Sequence, residues 1–128
     1  MTAQCKIDRH YTVQNPGEGQ QVTRGGLLVT VKAPSAGSSD PFILFEIALP
    51  PHLSGAAPHV HCQSSAWFYI LNGTLAFTLD AETVMLRAGS SILIEPTVVY
   101  TFWNPAAAAA TLLGLFTRGD FDAYLATL

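Results

Sequence analysis

The chain has 128 residues, a formal net charge of −3, 49% apolar residues and only 12% charged ones. That length suits one domain with a real core, so a single domain over residues 1–128 is expected. The few Lys and Arg residues are scattered singly, which leaves no electrostatic footprint for nucleic acid.

The first residues, MTAQCKIDRH, lack the apolar core of a signal peptide, and no run reaches the about 18 apolar residues a membrane span needs. The expectation is a soluble cytoplasmic protein without a membrane partner. Cys5 and Cys62 lack CxxC spacing and read as free thiols.

Turn signals punctuate the chain from Asn15-Pro16-Gly17 to Asn104-Pro105, with short β-branched and aromatic runs between them. Strands are predicted over 26–32, 42–49, 67–71, 74–79, 83–86, 91–94, 98–103 and 111–116. So many short strands point to an all-β antiparallel sandwich or barrel. Asn72-Gly73 reads as a two-residue hairpin turn, and Asp80-Ala81-Glu82 as a second hairpin tip. Beyond the strands, Phe121, Tyr124, Leu125 and Leu128 follow helical spacing, so a short C-terminal helix over about 119–127 is expected to dock on the barrel.

The run Phe42–Leu49 is apolar at nearly every position, so both its faces should be covered. Val99 and Trp103 add apolar side chains on an outward phase. One small barrel cannot cover that much apolar surface, and a homodimer is expected. Glu46 interrupts the run. It lies in phase with Phe42, Leu44 and Ala48, opposite the uniformly apolar Ile43, Phe45, Ile47 and Leu49. It can therefore line the barrel with other polar groups or face solvent.

Pro58-His59-Val60-His61 carries the chemistry. In a strand, side chains two apart point the same way, so two imidazoles project to one spot. A first-row metal site can start there but needs more ligands.

From Pro58 through the Trp67-Phe68-Tyr69-Ile70-Leu71 run to Gly73, the chain resembles the first motif of the cupin superfamily. The stretch from Gly89 through Pro96 to Asn104 resembles the second. Phe45-Glu46 to Pro51 and the segment from Gly119 resemble the quercetinase-like single-domain cupins. The resemblance implies an RmlC-like jelly-roll barrel, a double-stranded β-helix, with Ala66, Phe68, Ile70, Val98, Tyr100 and Phe102 pointing inward. It also implies a four-ligand metal site of three histidines and a glutamate. His59 and His61 match two positions. Ala66 stands at the glutamate and Tyr100 at the third histidine.

A phenol near its ordinary pKa of about 10 is a poor ligand at neutral pH. The implied cofactor is therefore none, or a weakly held divalent transition metal (Zn, Ni, Fe, Mn or Cu) on His59 and His61, with Tyr100 or Glu46 as a further ligand. Gln63 and Glu95 are alternatives for a rebuilt set, although Glu95 reads as a rim residue. Three functions remain. The first is binding of a small organic ligand in an apolar barrel cavity bounded by His59, His61, Tyr100, Phe68 and Phe102, with Glu46 as a further lining residue. The second is a metal-dependent dioxygenase or isomerase with an altered ligand set. The third is an assembly protein with a vestigial site. The missing glutamate and histidine weigh against the second, and the retained histidines against the third.

Overall fold

The computed structural model describes residues 13–33, 42–61 and 64–117. These residues form nine strands: β1 (Gln20–Arg24), β2 (Leu27–Ala33), β3 (Phe42–Leu49), β4 (Ala66–Asn72), β5 (Thr74–Leu79), β6 (Glu82–Arg87), β7 (Ser91–Ile94), β8 (Tyr100–Trp103) and β9 (Ala110–Thr117). They make an antiparallel six-stranded sheet, β1-β2-β3-β9-β4-β7, and a three-stranded one, β6-β5-β8. The fold is all-β. No helix among the described residues is long and apolar enough to cross a membrane. Residues 119–127, Cys5 and Cys62 lie outside the described residues.

Alternation decides which face each strand buries. In β3, Phe45, Ile47 and Leu49 are at most 1% exposed, and in β4 the inward set is Ala66, Phe68 and Ile70. Leu112 and Phe116 of β9, Leu75 and Phe77 of β5, and Tyr100 and Phe102 of β8 complete the core between the sheets. Each fully buried Leu, Ile or Phe contributes about 1.5–3 kcal/mol relative to exposure.

One row shows how composition serves packing. Gly114 pairs with Phe45 on one side and Phe68 on the other. A Cβ on Gly114 would lie 2.5 Å from Phe45 Cζ and 3.2 Å from Phe68 Cδ1. The bare backbone lets the two rings meet edge to face at 6.4 Å.

Two expected turns differ from the structure. Gly73 has the positive φ that was expected, 80°. However, β4 and β5 belong to different sheets, so Asn72-Gly73 turns a corner between them and closes no hairpin. A Cβ on Gly73 would lie 2.8 Å from Ala110 Cβ, which ties this corner to the start of β9. The second tip is the two residues Asp80-Ala81, because Glu82 already pairs with Leu79. Asp80 has φ 53°. Its backbone N–H donates to Val99 O at 2.7 Å, and its Oδ1 accepts the Val99 N–H at 3.1 Å.

Candidate functional site

The site is built where the chain crosses from Pro58 to β4 and returns along β8. His59 and Tyr100 form an isolated antiparallel bridge. The His59 N–H donates to Tyr100 O at 2.9 Å, and the Tyr100 N–H to His59 O at 2.8 Å. One pair of backbone hydrogen bonds thus fixes the histidine segment against the phenol-bearing strand.

A second anchor holds His61, whose carbonyl accepts the Thr97 N–H at 2.9 Å. Thr97 is the third residue of the turn Glu95-Pro96-Thr97-Val98, closed by the Val98 N–H donating to Glu95 O at 3.4 Å. Its φ is 77°, the left-handed region that this turn position normally fills with glycine. A β-branched residue there stores strain, about 1–3 kcal/mol, immediately beside His61.

The structure brings the expected side chains together as a packed aromatic cluster. Ring centroids lie 4.5 Å apart for His59 and Tyr100, and 5.2 Å for His59 and His61. His61 meets Phe116 edge-on at 5.2 Å. Phe68 stands 6.1 Å from Tyr100 and 5.6 Å from Phe102. Tyr100 and Phe68 are each 1% exposed, and Val60 between the histidines points outward.

Glu46 does not join them. Because Phe45 and Ile47 fill the interior, alternation sends Glu46 to the outer face, where it pairs with Thr30 and Leu113. It is corrected from a candidate ligand to an outer-face residue. Glu95 is exposed, as a rim residue should be. Gln63 lies outside the described residues.

Electrostatics keep His59 and Tyr100 uncharged. Burial lowers the His59 pKa, a contact with the Ala57 carbonyl opposes this, and the nearby His61 lowers it further. The imidazole is therefore neutral at pH 7. Its Nδ1 lies 3.3 Å from Ala57 O. A carbonyl only accepts, so Nδ1 carries the proton and Nε2 presents a lone pair. The Nε2 atoms of both histidines and the Tyr100 hydroxyl are shielded from solvent. Burial pushes the Tyr100 phenol well above its ordinary range, so it stays protonated. Among the described residues its hydroxyl has no hydrogen-bond partner.

Among the described residues the donor set does not fit a divalent metal. Ala66, on the inward face of β4 and 3% exposed, offers no carboxylate. Tyr100 is held as a neutral phenol, a worse ligand than a free one. No group of three His, Cys, Asp or Glu side chains gathers among the described residues. Two neutral imidazoles supply neither the charge nor the ligand number such an ion needs.

Asn104, which the sequence marks only as a closing residue, is a structural lock. Its Nδ2 donates to Leu49 O at 3.3 Å, Pro50 O at 3.0 Å and Ala108 O at 2.8 Å, and its Oδ1 accepts the Ala106 N–H at 3.0 Å. Its place before Pro105 and at the end of the motif-like stretch were the available signals, and neither names these partners.

Two packed antiparallel sheets with an inward His-x-His segment define a jelly-roll barrel of the kind the motifs implied. The cupin domain family profile matches residues 45–116, and the chain belongs to that family. Solved structures agree. An RmlC-like cupin from Shewanella frigidimarina is 17% identical with a TM-score of 0.71, over 91% of this chain and 96% of that one. A cupin 2 conserved barrel domain protein from Salinispora arenicola is 13% identical with a TM-score of 0.71, over 93% and 98%. KdgF from a Halomonas species is 14% identical with a TM-score of 0.70, over 89% and 99%. At these identities the likeness establishes the fold alone. No curated protein matches the chain.

Proposed function

We propose that the barrel binds a small, uncharged organic molecule at the His59–His61–Tyr100 cluster. The observation that carries this reading is the Tyr100 hydroxyl, buried to 1% exposure and without a hydrogen-bond partner among the described residues. An unsatisfied buried hydroxyl costs about 1–3 kcal/mol, a cost that a ligand acceptor removes. The surroundings define the ligand. Phe68, Phe102 and Phe116 supply apolar contact, and a neutral imidazole beside a protonated phenol disfavours any net charge. Tyr100 donates a hydrogen bond, so the fitting molecule carries an acceptor, as an amide or a phenol does. The rings touch one another, so binding parts them and favours small ligands.

Thermal-shift titration with acetamide, phenol and benzamide tests this, with acetate and benzoate as charged counterparts. The neutral members should raise the melting temperature and the carboxylates should not. The Tyr100→Phe variant should lose most of that response. Equal shifts from benzoate and benzamide, or a full response in Tyr100→Phe, would defeat the reading.

A further inference from the structure

The turn that anchors His61 is held in a form that its own residue resists. Pro96 stands at its second position, where the ring fixes φ near about −65°. Thr97 stands at its third, with φ 77°. A negative φ followed by one near about +80° defines a type II turn, which the Glu95–Val98 hydrogen bond closes. Glycine favours that third position because it has no Cβ. A β-branched side chain there opposes the form it occupies.

A type I turn joins the same four residues with its ends in much the same place. It needs φ near about −60° at the second position and about −90° at the third, and Pro96 and Thr97 both adopt these without strain. The two forms differ by a flip of the central peptide plane, here the one joining Pro96 to Thr97. That plane carries the Thr97 N–H, which donates to His61 O at 2.9 Å. After the flip the N–H points away, and the Pro96 carbonyl faces His61 O in its place. Strain and hydrogen bond therefore act on one peptide in opposite directions, and the two are of the same order.

We propose that the Pro96–Thr97 peptide is a two-state latch on the histidine segment. In the closed state its N–H holds the His61 main chain. In the flipped state the Pro96 carbonyl repels that of His61, and residues 60–61 swing about the His59–Tyr100 bridge, whose paired hydrogen bonds of 2.9 and 2.8 Å form the hinge. Location gives the latch its use. His61 is 8% exposed and its ring stands 6.1 Å from that of Tyr100, while Thr97 across the latching bond is open to solvent. Val98, the next residue, packs on the core. Release of His61 thus opens the aromatic cluster from its rim. That use rests on the ligand reading above, in which binding has to part rings that touch.

Relaxation-dispersion NMR on the ligand-free full chain tests the latch. Thr97 and His61 should show exchange on the microsecond-to-millisecond scale with one shared rate. Thr97→Gly relieves the strain and should abolish the exchange at both positions. Thr97→Ala keeps a Cβ without the hydroxyl and should retain it. Exchange at Thr97 that His61 does not share overturns the proposal, as does exchange at neither or exchange that survives Thr97→Gly. If Thr97→Gly fails to fold, Thr97→Asn, which tolerates the same backbone, should lower the flipped population by about threefold or more, and an unchanged population overturns the proposal. Benzamide gives a second readout. Thr97→Gly should slow both its association and its release by about fivefold or more and leave their ratio unchanged, because a latch that recloses sets rates and not affinity. Unchanged rates overturn the gating role. A wild type that shows the shared exchange but binds no benzamide supports the latch and defeats the ligand reading.

Discussion

Tyr100 opens β8 and Asn104, four residues on, directly follows its last residue, and each is 1% exposed. Asn104 spends its amide on three carbonyls and one N–H, holding the chain around Pro50 to the turn before β9. Among the described residues the Tyr100 hydroxyl has no such partner. A buried polar group satisfied by its own fold serves stability. One that the fold leaves unsatisfied is a cost, kept where something outside the chain can meet it.

The largest test of this contrast rebuilds the unsatisfied end. Ala66→Glu with Tyr100→His places a carboxylate and a third imidazole beside His59 and His61. Calorimetric zinc affinity should rise by several orders of magnitude over the unmodified protein. Tight stoichiometric binding by the wild type would show that the native donors already suffice. At the satisfied end, Asn104→Ala leaves buried carbonyls without a donor and should cost about 3 kcal/mol in urea unfolding. A loss below about 1 kcal/mol would remove the contrast.

Tyr100→Phe should run the other way. It deletes a hydroxyl without a hydrogen-bond partner among the described residues, and should be neutral or stabilising by up to about 1 kcal/mol in the same assay. Thr97→Gly relieves the left-handed backbone beside His61 but loosens the unfolded chain, for a net gain of about 0.5 kcal/mol.

The smallest effect is that of pH. The folded-state pKa of His59 is depressed, so its contribution is present above the unfolded value of about 6.5 and is lost as pH falls towards the folded one. The melting temperature should therefore drop between pH 7.5 and 5. His59→Gln should reduce that drop, and an unchanged drop would place the titration elsewhere.

Much of this was legible before any coordinates. Eight of the nine strands follow from alternation and turn residues, because their inward sets are strongly apolar. β1 was missed because Gln20–Arg24 is an exposed edge strand of mostly polar residues and carries no such signal. Gly73 announced its backbone conformation correctly. It could not announce that the strands it joins belong to different sheets, since conformation is local and pairing is not.

The site was legible to the extent that spacing sets direction. The shared direction of His59 and His61 follows from strand period, and the inward phase of Tyr100 from the resemblance to the cupin motifs. Glu46 was ambiguous because both phases of β3 are apolar. Only the packing of Phe45 against Phe68 and Phe116 shows which face is inside. Asn104 was silent because its partners are main-chain carbonyls, which every residue possesses.

The strand order carries a consequence for how the protein is made. β9 lies between β3 and β4, so residues 110–117 join two halves of the sheet that do not pair with each other. During synthesis β3 and β4 emerge long before β9 does. Until then each presents an open apolar edge to whatever else is nearby, the arrangement that invites mispairing. The nascent chain is most exposed to aggregation in that interval, and a chaperone that shields strand edges would matter most there.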